Sequence, residues 1–188
     1  MNIPYGDERC KKFVTNVGLI TSNGPNGQNI MACEWTHHIS YEPGLIAICL
    51  DPDHATTENI KKTKEFAVNI AALGQNILSS VAGSNCGREV DKIAALKELG
   101  FTFYTGKKTK VLLVDNAALS IECKLVKSIP LGDHIMFIGE ALATKMGEKE
   151  PLALHAGKYW KLETSIAKPE QKELDRISAI VKKHSKKK

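Results

Sequence analysis

Apolar positions along this chain fall mainly in short runs or in strict alternation, and turn residues separate them. Phe13 to Ser22 begins apolar and ends in Ser22-Asn23-Gly24-Pro25-Asn26-Gly27. Glycine and asparagine tolerate positive φ and proline pre-sets φ for a reversal, so this cluster predicts a hairpin that returns into a strand over Gln28 to Trp35. Leu45 to Leu50 reads as a continuous apolar strand entered through the Pro43-Gly44 turn, and Phe66 to Ala71 as another. Leu119, Ile121, Cys123 and Leu125 alternate with Ser120, Glu122 and Lys124, the period of a strand with one buried face. Ile135 to Leu142 is almost wholly apolar and suits the centre of a closed sheet.

Helical signals are fewer. A hydroxyl at Thr56 or Thr57 can cap a helix running through Lys64, because it accepts from an otherwise unpaired N–H. Gln75 to Ala82 and Glu89 to Leu99 are the other candidates, the second stopping at Gly100. Leu174, Ile177 and Val181 recur at helical spacing and predict a short amphipathic helix packed on the body or on a second subunit. Short antiparallel strands with few helices argue against a doubly wound sheet. They predict a mainly β chain whose small barrel closes its own edges.

Composition changes this picture only at the ends. A chain of 188 residues that is 43% apolar can bury one substantial core. That core is assigned to one domain over residues 1–167, with residues 168–188 as a basic tail, a short helix with a frayed end. The net charge of +5 comes entirely from that tail, since residues 1–167 hold 18 basic and 18 acidic residues. A neutral body with a basic end makes nucleic acid an unlikely partner, because runs of like charge are usually solvated. No apolar run approaches the ~20 residues of a membrane span, and Asp7, Glu8 and Arg9 interrupt the first residues. A cytoplasmic protein without membrane attachment is expected. Five scattered cysteines with no Cys-x-x-Cys pair fit reduced thiols rather than a disulfide framework or a zinc site.

Several familiar motifs are missing. No Gly-x-Gly-x-x-Gly follows a strand, so a Rossmann-type nicotinamide site has no support. Gly100 to Lys107 has five residues rather than four between its glycines, and Lys108 stands where a phosphate-binding loop needs Ser or Thr. His37 and His38 are adjacent on a strand and point to opposite faces, so a structural or surface role outweighs metal binding. No metal is expected.

Two runs carry more. Asn29-Ile30-Met31-Ala32-Cys33-Glu34-Trp35 is followed, one strand and one loop later, by Thr56-Thr57-Glu58-Asn59-Ile60. In order and spacing the pair resembles the FMN site of the flavin reductase-like split-barrel family, most closely its flavoredoxin-type members. The resemblance continues through Glu65 to Ile70, Asp91-Lys92 and Gly132 to Glu140, and covers roughly residues 10–165. It implies a Greek-key split β-barrel with a few peripheral helices, a homodimer, and FMN as cofactor with NADH or NADPH as a candidate donor. The implied function is an oxidoreductase of flavin reductase or flavoredoxin type, which passes electrons to a flavin, a ferric chelate or a redox protein. A non-catalytic FMN store or sensor on the same barrel is the alternative.

Residue by residue, the resemblance assigns Asn29 an amide contact to the flavin's pyrimidine edge and Ala32 a small wall that lets backbone N–H groups approach the ring. Trp35 offers a flat face to the ring or ribityl chain. Thr56 joins a hydroxyl to the positive end of a helix for the phosphate, Lys92 adds a full charge, and Arg88 is a weaker candidate. Asn59 helps to hold the loop or the ligand. His134, in Gly132-Asp133-His134, sits near the flavin with an imidazole that titrates near working pH, and Tyr159 is an aromatic placed near it. Without that pattern, the same residues read as a turn asparagine, core alanine and tryptophan, a helix cap, a solvated lysine and a strand-start histidine. Cys33 and Cys86 depart from the pattern, and either thiol is placed where it can face the flavin or act as a small hydrophobe.

Overall fold

The computed structural model describes residues 1–185. In chain order the strands and helices are β1 (Val14–Asn16), β2 (Gly18–Ser22), β3 (Asn29–Cys33), β4 (Thr36–Ser40), β5 (Leu45–Leu50), α1 (Ala55–Thr63), β6 (Glu65–Ile70), α2 (Asn76–Ser84), α3 (Lys92–Glu98), β7 (Phe103–Thr105), β8 (Leu112–Val114), β9 (Leu119–Leu131), β10 (His134–Met146), β11 (Leu152–His155), β12 (Lys158–Lys161) and α4 (Gln171–Lys183). Seven strands form one antiparallel sheet in the order β3-β2-β6-β9-β10-β5-β4. Its two edges, β3 and β4, are consecutive in the chain and joined only by Glu34 and Trp35. The sheet therefore curls until its edges lie together without pairing, which is a split barrel.

The barrel interior collects inward side chains from six strands, among them Ile20, Ile48, Leu50, Phe66, Val68, Cys123 and Phe137. A second apolar layer lies outside, where Leu19, Ile30 and Ala71 pack against Leu78 and Ala82 of α2, Ile93 and Leu96 of α3, and Val114 of β8. Every residue of β2 is buried because both of its faces are covered. A strand covered on both faces reads as a continuous apolar run rather than an alternation.

The expected strand over residues 13–22 is broken. β1 leaves the barrel to pair with β11, while β2 stays in it. The hairpin through Asn23–Gly27 forms as expected, with Ser22 opposite Asn29. Trp35 falls outside β3, in the connection to β4. β10 runs on to Met146 and pairs with both β9 and β5, the central place expected for it. α3 starts at Lys92 rather than Glu89, because the Asp91 carboxylate accepts from Ala94 N at 2.9 Å and caps it there. No residue of α4 is buried, so the expected packing on the body is not found; the frayed end lies outside the described residues. Among the described residues no helix is long and apolar enough to cross a membrane.

The loop that superficially suggested a phosphate site holds an anion of the protein's own. The Glu122 carboxylate, 3% exposed, accepts from Lys107 N (2.8 Å), Lys108 N (2.7 Å), Thr109 N (2.7 Å) and the Thr109 hydroxyl (3.0 Å). A Cβ at position 106 would lie 2.4 Å from its Oε2, which is why glycine stands there. Burial pushes this carboxyl up, but the four hydrogen bonds together outweigh it and hold the group below its ordinary value of 4.5. Its stabilising contribution is present above that value and lost as pH falls through the lower folded one. Glu122→Gln is expected to cost about 1.5–3 kcal/mol at neutral pH and to flatten the acid side of the stability profile, measured by urea unfolding between pH 3 and 7. An unchanged acid limb would refute this account.

Candidate functional site

A cleft of about 340 Å³ opens where β3, the N-terminus of α1 and the α2–α3 connection meet. At its polar end Asn29 Nδ2 donates to Thr56 Oγ1 at 2.9 Å, the two residues being 4% and 1% exposed. Neither threonine caps α1. The helix starts at Ala55, His54 occupies the N-cap position without a side-chain bond, and the Thr57 hydroxyl donates to Asp51 O at 2.7 Å. Thr56 is thus left to face the cleft from the first turn, where backbone N–H groups lack helical partners and the helix dipole is positive.

Lys92 lines the same end and is only 3% exposed. Its ammonium donates to Ala82 O (3.2 Å) and Asn85 O (3.1 Å), and no carboxylate pairs with it among the described residues. Burial pushes its pKa down to about 8, with the nearby Cys86 thiol acting weakly the other way. The solvated helix face that a lysine suggests in sequence is not what forms here. His54, also in the lining, is lowered first by burial; Asp51 opposes this, and the positive charges of His134, Lys92 and Arg88 add to it. The cleft is therefore bordered by several basic groups, and its closed end contains a buried cation without a counter-ion.

The α2–α3 connection forms the opposite wall. A Cβ on Gly87 would lie 2.4 Å from Asn29 Oδ1, so this backbone presses on the asparagine amide and fixes its direction. A Cβ on Gly83 would lie 3.2 Å from the Ala32 Cβ, a looser approach. Arg88 is not a free cation for a ligand: its guanidinium donates to Asp53 O at 2.5 Å and to Glu58 at 3.2 Å.

Of the eight residues singled out in sequence, Asn29, Ala32, Thr56 and Lys92 line this cleft. Asn59 does not. It is fully buried behind Thr56, donates to Ser22 Oγ and Gly27 O, and accepts from Asn26 N, so it holds the hairpin turn against α1. Trp35 is 54% exposed and lies outside the lining, with its ring 4.5 Å from that of His134. His134 is held by Asp133 through Nδ1 at 2.7 Å and, like Trp35, lies outside the lining. Tyr159, on β12, donates to Ser79 Oγ at 3.1 Å and braces α2 instead of entering the cleft. Of the two cysteines in question, Cys86 lines the cleft, whereas Cys33 faces the barrel core, where burial pushes its thiol up to about 11.

The family sequence model described as a flavin reductase like domain matches residues 10–163. The chain belongs to the flavin reductase-like family. It is 30% identical over 150 residues to an NADH-dependent FMN reductase, AsuE2, of Streptomyces nodosus subsp. asukaensis, covering 77% of each chain. It is 28% identical over 137 residues to a ferric-chelate reductase (NAD(P)H) of Archaeoglobus fulgidus, covering 72% of this chain and 78% of that one. Its fold superposes on flavoredoxin from Methanosarcina acetivorans with a TM-score of 0.77 at 20% identity, over 94% of this chain and 98% of that one. This flavin reductase-like protein is accordingly an oxidoreductase by family. Sequence reasoning missed His54, Asp53 and Asn85 in its cleft. The signal for them is positional, since Asn85 adjoins Cys86 and Asp53 and His54 lie within three residues of Thr56, but only the fold brings the two loops together.

Proposed function

We propose that this protein binds FMN in the cleft and is an NAD(P)H-dependent flavin reductase or flavoredoxin-like oxidoreductase, acting as a cytoplasmic homodimer. One observation carries the assignment of the cofactor. A buried lysine without a counter-ion, a threonine hydroxyl and the first turn of a helix converge at one closed end of the cleft, and a phosphomonoester supplies the missing charge. Lys92, Thr56 and Asn29 would hold the phosphate end. Met31, Ala32 and His54 leave the less polar part of the cleft to the ring system, and the Trp35–His134 pair flanks it outside. In this reading Asn29, already bonded to Thr56, orients the phosphate end rather than contacting the ring's pyrimidine edge.

Bound flavin supplies the hydride-accepting and one-electron chemistry; the chain supplies orientation, charge and exclusion of water. His134, oriented by Asp133, would be the group to take up or give back a proton on the ring side. The small barrel is filled by its own side chains, so the cofactor lies on its outer face, where a second copy would cover it. Relatives that reduce FMN with NADH and ferric chelates with NAD(P)H support the choice of donor and acceptors.

The test is spectroscopic. Protein loaded with FMN should be yellow, bleach anaerobically with NADH or NADPH, and recolour on addition of free flavin or ferric chelate. Its mass in solution should be about twice 20.6 kDa. Failure to take up FMN would overturn the proposal; uptake without reduction by either nucleotide would leave a flavin store.

A further inference from the structure

The polar end of the cleft is closed in a way that bears on which flavin fits. Asn29, Thr56 and Lys92 are 4%, 1% and 3% exposed, so the groups that would meet a phosphate sit at the bottom of the cleft. The two walls above them belong to different loops, one contributing Asp53 and the other Gly87. Arg88, the next residue after Gly87, crosses between these walls. One guanidinium nitrogen donates to Asp53 O at 2.5 Å and another to Glu58 at 3.2 Å, and Glu58 is itself held by the Asn26 amide at 2.9 Å. The Arg88 and Glu58 side chains are 43% and 50% exposed, so the bridge lies at the surface end of the gap and not in the cleft floor.

We infer that Arg88 is a specificity-determining residue, a strap that closes the phosphate end and restricts the site to a flavin mononucleotide. The inference rests on the FMN reading of the cleft. FMN ends in a phosphomonoester, whose free oxygens can all turn toward Lys92, Thr56 and the helix N-terminus. FAD carries an adenylate esterified to that same phosphate, so its chain must continue past the phosphate. In that reading the chain would leave between Asp53 and Gly87, both in the lining, and the Arg88 bond to Asp53 O ties these two loops together beside it. A planar guanidinium suits this role, since its rigid fork holds two nitrogens apart and so reaches two separated acceptors, whereas an ammonium is a single point donor group. The bridge adds little to stability, because exposed ion pairs contribute about 0–1 kcal/mol. Its effect is on shape.

The test compares FMN, FAD and riboflavin binding to the full chain by quenching of flavin fluorescence. Wild type should bind FMN at least tenfold more tightly than FAD, a difference of ~1.4 kcal/mol. Arg88→Ala should narrow that ratio to about threefold or less, by raising affinity for FAD while leaving FMN nearly unchanged. Arg88→Lys should fall between them. If Arg88→Ala does not fold, Glu58→Ala removes one anchor of the strap at the surface and should shift the ratio in the same direction. Wild-type protein that binds FAD as tightly as FMN would overturn the strap and leave FMN binding standing. So would an equal loss of both flavins in Arg88→Ala, which would make Arg88 a support of the loop. Failure of the wild type to bind any flavin would overturn the functional reading itself.

Discussion

Replacing Lys92 with methionine is expected to stabilise the ligand-free protein and to weaken FMN binding. The ammonium is 3% exposed and has two carbonyls but no carboxylate to compensate its lost hydration. Exchanging a buried charge for an apolar side chain of similar length is commonly neutral or favourable by about 1–4 kcal/mol. The folded pKa of about 8 lies below the ordinary 10.5, so the unfolded chain binds more protons in between. Wild-type stability should therefore rise with pH from about 8 to 10.5, and the variant should lack that rise. For the ligand the sign reverses. A phosphate needs the charged amine, so FMN affinity should fall as pH rises above about 8, while riboflavin, which has no phosphate, should be indifferent. Loss of the charge-assisted contact should weaken FMN by about 1.5–3 kcal/mol, roughly tenfold to a hundredfold. Thermal unfolding and fluorescence titration of both ligands check the two halves. Equal losses for FMN and riboflavin would make Lys92 a packing residue only.

Asn69→Ala should destabilise the fold strongly. Its side chain is fully buried at the junction of four strands. The amide nitrogen donates to Leu19 O at 3.0 Å and lies 3.4 Å from Thr21 Oγ1; the amide oxygen accepts from Val114 N at 3.0 Å and Ser120 Oγ at 2.9 Å. One residue of β6 thereby ties β2, β8 and β9, and Val114 belongs to the apolar layer that backs α2 and α3. Truncation leaves the Val114 N–H buried without a partner, at about 1–3 kcal/mol, and removes the side-chain bonds to Leu19 O and Ser120 Oγ, at about 0.5–1.5 kcal/mol each. Against a typical total of 5–15 kcal/mol, a loss of about 3–5 kcal/mol leaves a marginal fold. Urea unfolding measures it. A midpoint close to wild type would mean that water replaces the amide and that the junction is not sealed. Asn69→Asp should also destabilise, since a carboxylate cannot donate to Leu19 O.

Elements whose information is local were legible before the fold was known. Ser22 to Gly27 specifies a turn by residue type, so the β2–β3 hairpin and its register follow. Leu119 to Leu125 alternates because Ile121 and Cys123 face the barrel core, while on the other face Ser120 and Glu122 are buried in hydrogen bonds and Lys124 is exposed. The break at Val17 was not legible. β1 and β2 look like one apolar strand, and only the presence of β11, more than a hundred residues later, draws Val14 to Asn16 away. No periodicity gives β4 its bounds, because His37 and His38 lie exposed on an edge strand, where no burial imposes a pattern.

The site divides along the same line. Asn29 and Thr56 stand out by type and order, at the start of a strand and in the first turn of a helix, and they meet in the structure at 2.9 Å. Asn59 has the same polar character and neighbourhood, yet its side chain turns toward Gly27 and Ser22. Asn59 lies nearly one full turn further along α1, where the helix meets the β2–β3 hairpin instead of the cleft. Trp35 and Tyr159 are large aromatics for which sequence cannot separate a cofactor wall from a partly exposed brace.

By itself the sequence determined the class of fold, the strands whose periodicity is local and the absence of a dinucleotide fingerprint, while the family resemblance singled out Asn29, Thr56 and Lys92. The first three follow from side-chain period, turn residues and motif spacing. Tertiary structure alone decided that the Gly106 to Thr109 loop is filled by Glu122 and so cannot receive a ligand. It also decided that Lys92 is buried without a counter-ion, that Gly87 presses on Asn29, and that Arg88 joins two loops 35 residues apart. Burial, proximity of distant segments and the pairing of charges depend on how the chain closes on itself. A linear pattern of residue types does not contain them.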